Sequence, residues 1–236
     1  MKPLIGINCD FELNDKGKER SFLYAAYYDA VARAGAVPVL IPALEDPADL
    51  DLVLERLDGV LLSGGDDFDP CHYGAKPHPS VKPLHCRRQS FDLTLGRRLA
   101  EHDLPVLGVC CGAQLMAIVA GGTLYEDVPS QVPDAIPHRV DGGGPLDHPV
   151  RVAPGTRLGG ILEGEVLANS AHHQSVRCPG RLSVSAVSPD GLIEALEDPG
   201  RRFYVGVQWH PERIAERPAG GALIAAFVEA ARQKRP

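Results

Sequence analysis

Four short stretches, PLIGINC (residues 3–9), VPVLIPA (37–43), GVLLSGG (59–65) and PVLGVC (105–110), are apolar runs rich in Val, Ile and Leu and bounded by Gly or Pro. Runs of that kind predict strands buried on both faces of a parallel sheet. Between them, SFLYAAYYDAVARAG (21–35), PADLDLVLERLD (47–58) and RRQSFDLTLGRRLAEHD (87–103) space their apolar residues three and four apart and end in Gly or Asp, as crossover helices do. Strands alternating with helices predict a doubly wound, mostly parallel sheet flanked by helices. Ligands of such a sheet sit at the carboxyl ends of its strands.

Beyond residue 122 the texture changes. Pro and Gly rise through VPSQVPDAIPHRVDGGGPLDHP, and 128–147 is expected to be the most mobile loop. HPVRVAP (148–154), EVLANSA (165–171), RLSVSAVS (181–188), GLIEALED (191–198) and FYVGVQW (203–209) are mostly alternating and predict an added antiparallel layer. AGGALIAAFVEAARQ (219–233) has helical spacing. There is no internal repeat and no evident linker, so one domain over residues 1–236 is expected.

A net charge of −7 provides no basic field for nucleic acid or anionic lipid, and the basic tail RQKRP reads as a solvated helix end. No apolar run reaches the about 20 residues of a membrane span, and the first residues lack the apolar core of a secretion signal, so a cytoplasmic location is expected. Six cysteines without a CxxC pair read as thiols. The segment CHYGAKPHPSVKPLHC (71–86) offers Cys71, His72, His78, His85 and Cys86. Its spacing fits no compact zinc pattern and its prolines favour a surface loop, so no metal site and no cofactor are expected.

Chemistry enters at G-x-C-x-G, residues Gly108, Cys110 and Gly112. A nucleophile on a sharp strand-to-helix turn needs small residues two before and two after it. Framed on Cys110 both are glycine, whereas framed on Cys111 they are Val109 and Ala113. The amides of the following helix favour a thiolate there. A thiol nucleophile needs a base and the base an orienter. His210 follows an apolar strand, and Glu212 lies two residues on, pointing the same way if the segment is extended. In NSAHHQSV (169–176) adjacent strand residues face opposite ways, so at most one of His172 and His173 faces substrate while the other packs or hydrogen-bonds. His173 is favoured, and metal binding by the pair is disfavoured for the same reason.

LLSGGDDFDPCHYG, GVCCGAQLMAIVAGGTLYED, HPVRVAPGTRL, NSAHHQSV, PDGLIEAL and GVQWHPE together resemble the class I glutamine amidotransferase-like family, in its γ-glutamyl-γ-aminobutyrate hydrolase and γ-glutamyl peptidase branch. The resemblance spans nearly the whole chain and implies a flavodoxin-like fold. It implies that Cys110 is the nucleophile, His210 the general base and acid, and Glu212 the residue that orients the histidine. Backbone amides of Gly65 and Cys111 would form the oxyanion hole. Gln114 matches a position near the bound glutamyl group, although it also reads as a polar residue satisfying the helix terminus. Relatives often carry Arg where this chain has Cys111, and Arg-Asp where it has Arg88-Gln89, so the leaving group does not carry over. The implied activity is hydrolysis of γ-glutamyl amide or isopeptide bonds of a small-molecule substrate, through a thioester on Cys110. A glutaminase subunit feeding ammonia to a separate synthetase and a non-catalytic binding relative are the alternatives. A homo-oligomer is compatible with each.

Overall fold

The computed structural model describes residues 1–140 and 146–233. Five parallel strands form its centre, in the order β4 (Val37–Ile41), β1 (Leu4–Asn8), β5 (Gly59–Leu62), β6 (Val106–Val109) and β13 (Tyr204–Val207). Four of these are the apolar runs read from the sequence. The fifth, β13, lies parallel to β6 on one side and antiparallel to its neighbour on the other, so it joins the two parts of the sheet, consistent with its four buried residues. Consecutive side chains alternate between two apolar clusters, one on each face. In β5, Leu61 joins Ile7, Trp209 and Phe227, while Val60 and Leu62 join Phe68, Leu95 and Leu115.

Helices α1 (Ala25–Arg33), α2 (Pro47–Leu54), α3 (Cys86–Glu101) and α6 (Pro218–Arg232) flank the sheet with α4 (Cys111–Val119). Asp46 caps α2, its side chain accepting from the amide of Ala48 with Pro47 in the first turn. Helix α1 begins four residues later than its periodicity suggests. Residues before it form a hairpin, β2 (Asp10–Leu13) with β3 (Glu19–Phe22), closed by Asn14 accepting from the amides of Lys16 and Lys18 and by Gly17 at φ 69°.

The antiparallel strands continue the same hydrogen-bonded sheet beyond β13, through β12 (Ile193–Glu197), β11 (Ser183–Val187), β8 (Leu146–Val152) and β9 (Glu165–Ser170). Short strands β7 (Thr123–Tyr125) and β10 (Ser175–Cys178) pair with each other, and β10 also touches β12. Of the stretch expected to be mobile, residues 141–145 lie outside the described residues, as do 234–236 of the basic tail. The described part is anchored. Val128 is buried at the start of α5 (Val128–Gln131), Asp190 accepts from the amide of Ile136, and His138 is buried. No helix among the described residues is long and apolar enough to cross a membrane.

This topology sets the carboxyl ends of β5, β6 and β13 side by side. Whatever follows them in sequence meets at one edge.

Candidate active site

Strand β6 ends at Val109 and α4 begins at Cys111, so Cys110 alone makes the turn, at φ 51° and ψ −107°. A non-glycine residue at positive φ is strained by on the order of 1–3 kcal/mol and persists only where its surroundings fix it. Here the Cys110 amide donates to the carbonyl of Val207 at 2.8 Å, and its carbonyl accepts from the amides of Ala113 and Gln114. Both glycines of the motif are required by contact. A Cβ on Gly112 would lie 2.3 Å from the carbonyl oxygen of Leu62, and one on Gly108 would lie 2.5 Å from Met116 Sδ and 2.9 Å from the Gly112 backbone. Cys110 Sγ accepts from Gln208 Nε2 at 3.4 Å. The Cys111 side chain instead enters the apolar cluster with Leu62 and Leu115, where burial pushes its thiol well above the usual range despite nearby Arg88.

His210 follows the end of β13 and stands beside Cys110, its Cε1 and the Cys110 Cβ both within 4 Å of the space that a Cβ on Gly64 would fill. Its Nδ1 donates to Glu212 Oε1 at 2.8 Å. The segment is not extended, as the sequence reading supposed. Pro211 opens a single 3₁₀ turn, Pro211–Arg213, which brings the carboxylate back to the ring. Burial pulls the imidazole toward its neutral form, but the Cys110 sulfur beside it and the hydrogen-bonded Glu212 carboxylate overcome this and hold His210 up at about 9. The backbone is fixed from β9, where Asn169 Oδ1 accepts from the His210 amide at 3.2 Å.

After β5 the chain runs through Ser63, Gly64 and Gly65 past Cys110. Gly64 leaves no room for a Cβ, which would meet Tyr27 Oη at 2.7 Å and His210 Cε1 at 3.1 Å. Its amide donates to Tyr27 Oη, whereas the amides of Gly65 and Cys111 have no protein acceptor among the described residues. Beneath this loop lies Arg88 of α3, fully buried. It donates to the carbonyl of Gly64 at 2.8 Å and to Ser63 Oγ at 3.2 Å, and pairs with Asp92 at 3.1 Å and Asp10 at 2.8 Å. Asn8, at the end of β1, ties Asp92 to the amide of Ser63. Gln89 braces the neighbouring loop, accepting from the amide of Asp69 and donating to the carbonyl of Leu84.

Two cavities meet at Cys110. The smaller, about 150 Å³, is lined by Gln114, Asp66, Lys82, Arg139 and His173 among others, and the larger, about 360 Å³, by Phe11, Tyr24, Tyr27, His210 and Arg213. Gln114 Nε2 donates to Gln208 Oε1 at 3.3 Å, so the two amides form a chain to Cys110 Sγ. His172 and His173 lie on the connection between β9 and β10, not within a strand, yet they diverge. His173 faces the smaller cavity with both ring nitrogens on carboxylates, Asp67 at 3.0 Å and Asp127 at 3.2 Å. The bond to Asp67 chiefly raises its pKa. His172 turns inward against Glu194 and also borders that cavity.

The structure therefore brings Cys110, His210, Glu212, Gly65, the Cys111 amide, Gln114 and His173 to one edge of the sheet. Sequence reasoning missed Gln208, Asn169, Tyr27 and the depth of Arg88. Gln208 carried a local signal, since it stands two residues before His210 on the same strand end. The other three reach the site through tertiary contacts alone.

Residues 3–212 match the Peptidase C26 family. The γ-glutamyl-γ-aminobutyrate hydrolase of Escherichia coli O157:H7 is 32% identical over 97% of this chain and 93% of its own length. A Mycobacterium tuberculosis protein whose name classes it provisionally as a glutamine amidotransferase is 36% identical over 98% of this chain and 75% of its own. Among solved structures, the CTPS glutaminase domain of Trypanosoma brucei with bound acivicin superposes with a TM-score of 0.67 at 18% identity. It covers all of this chain and 96% of that one. A glutamine amidotransferase of Thermotoga maritima gives 0.64 at 16%, over 99% and 100% of the two chains, and both likenesses concern the fold. With its Cys110 elbow and adjoining His210–Glu212 pair, the chain belongs to the Peptidase C26 family of class I glutamine amidotransferase-like proteins.

Proposed function

We propose that the protein hydrolyses γ-glutamyl amide or isopeptide bonds of small molecules, through a γ-glutamyl thioester on Cys110. The observation that carries the reading is Cys110 at a strained elbow between two cavities, with His210 beside it and hydrogen-bonded to Glu212. In the first step Cys110 Sγ bonds to the γ-carbonyl carbon, and the carbonyl electron pair moves onto oxygen. The amides of Gly65 and Cys111 receive that oxyanion, and a well-placed donor of this kind is worth on the order of 3 kcal/mol. His210, held protonated by its surroundings, gives its Nε2 proton to the leaving nitrogen as the carbon–nitrogen bond breaks. It then takes a proton from water, the resulting hydroxide attacks the thioester, and glutamate and the free thiolate leave.

The smaller cavity is suited to the γ-glutamyl head. Lys82 and Arg139 offer positive charge, and Asp66 and Asp67 negative, which fits a free α-carboxylate and α-amino group on one carbon. Gln114 stands between that head and Cys110. The larger, aromatic-walled cavity takes the leaving amine, and Arg213 on its rim favours an amine that carries a carboxylate, as γ-aminobutyrate does.

The test is release of amine by the purified chain alone from a panel of γ-glutamyl amines, with glutamine as comparison. Turnover of γ-glutamyl amines without a partner supports the hydrolase. Activity on glutamine alone, appearing only when a synthetase is added, would replace it with the glutaminase-subunit reading.

A further inference from the structure

Away from Cys110, four side chains from separate segments meet inside the protein: His138, His148 on β8, His172, and Glu194 on β12. Each is at most 5% exposed, and their inward atoms lie within 4.8 Å of one another. Glu194 Oε1 is the common point, 3.4 Å from His138 Nδ1, 3.6 Å from His148 Nε2 and 3.6 Å from His172 Nε2.

The outward ring nitrogens reveal what this arrangement needs. His148 Nδ1 lies 3.0 Å from the carbonyl oxygen of Pro149, His172 Nδ1 2.8 Å from that of Gln174, and His138 Nε2 3.0 Å from Asp190 Oδ2. Those oxygens only accept, so each neutral ring carries its proton outward. The three inward nitrogens then present lone pairs to a carboxylate that also only accepts. Ser170 Oγ, 3.5 Å from His138 Nδ1, spends its proton on the His138 carbonyl. His148 Nε2, His172 Nε2 and both Glu194 oxygens have no hydrogen-bond partner among the described residues. Acceptors converging without a donor in a dry interior are costly unless a cation stands between them.

We propose that His138, His148, His172 and Glu194 bind one zinc ion. Three imidazoles and a carboxylate are zinc donors. Bonds of about 2.0–2.1 Å in a tetrahedron set neighbouring donors about 3.4 Å apart, close to the three separations around Glu194 Oε1. Each imidazole is braced from behind by a carbonyl or carboxylate, as ligating histidines are. Nitrogen donors disfavour magnesium and calcium, which take oxygen. A cavity bordered by Val128, Ile136, His138 and His172 offers access. The ion acts on shape, not on the reacting bond. It pins His172 and, through its neighbours, His173 and Arg139, which line the smaller cavity at Cys110.

The experiment uses the full chain, stripped with a chelator and with its thiols alkylated so that cysteine cannot compete. Cobalt(II) is titrated in as a spectroscopic stand-in, with magnesium as control. The expected result is one cobalt per chain, with the visible absorption of a four-coordinate site, displaced by equimolar zinc. The Tm rises with zinc and not with magnesium. Glu194→Gln abolishes the absorption, and Asp190→Asn, which removes only the brace behind His138, weakens binding by about 10- to 100-fold. Wild-type protein with no saturable absorption and no zinc-dependent Tm would show that a proton, not a metal, joins the cluster, and overturns the proposal. Binding unchanged in both Glu194→Gln and His148→Ala overturns it too. Should a variant fail to fold, the wild-type titration decides alone.

Discussion

Two adjacent cysteines in one turn have opposite fates because one side chain points into the cavities and the other into the core. Cys110 lines both cavities, accepts from Gln208 and stands beside His210, while the Cys111 thiol is buried against apolar neighbours and raised by that burial. Cys110→Ser is therefore expected to abolish amine release, and Cys111→Ala to retain it within about tenfold, because the Cys111 amide survives the substitution. Peptide mapping after brief iodoacetamide treatment checks the same asymmetry, with label on Cys110 and none on Cys111. His210 gives a second prediction at this scale. Its folded value, about 9, lies above its ordinary 6.5, so its contribution to stability is fully present below about pH 6.5 and is lost as pH rises through about 9. Wild-type Tm should fall across that window more steeply than that of Cys110→Ser, which lacks the charge that first offsets burial. Parallel curves would show that Cys110 does not hold the imidazolium. The elbow and the His-Pro-Glu were legible in the sequence because both lie within a few residues. Arg88 was not, because the contacts that make it a support for Gly64 run, beyond Asp92 on its own helix, to Asp10, Ser63 and Gly64 on distant segments.

At the scale of elements, α4 and the sheet meet through glycines on both sides, Gly112 on the helix and Gly108 and Gly206 on the strands. Gly108 and Gly112 clear the turn, and Gly206 on β13 admits Ala113, whose Cβ lies 3.0 Å from where a Gly206 Cβ would be. Helix propensity alone favours Ala over Gly by about 1 kcal/mol, so Gly112→Ala should stabilise a free helix. Here the new methyl meets the Leu62 backbone, which cannot swing aside. The expected net effect is destabilisation of about 1–3 kcal/mol with loss of activity, read from urea unfolding and amine release. A neutral Gly112→Ala would mean that the turn is looser than described. The buried parallel strands were readable because unbroken apolar runs have few other uses. The β2–β3 hairpin and the parallel course of β13 were not, since hairpin 10–22 carries little apolar content and strand direction depends on the partner that β13 finds.

For the whole molecule, function follows from topology. Neighbouring strands β5, β6 and β13 end together, so the Gly64–Gly65 loop, Cys110 and His210 converge although they are far apart in sequence. The antiparallel extension adds Asn169 behind His210 and the His172–His173 connection beside the cavity. That part of the site was only half legible. The spacing in NSAHHQSV showed that the two histidines must part, but not that His172 would join His138, His148 and Glu194 from three other segments. The central claim is that Cys110 carries the γ-glutamyl group between two half-reactions. Acid quenching of the protein in steady turnover of a γ-glutamyl amine, followed by peptide mass spectrometry, tests it directly. The account predicts one added γ-glutamyl group on Cys110, absent in Cys110→Ser and discharged when substrate is exhausted. Turnover with that group on another residue, or with Cys110→Ser fully active, would contradict it.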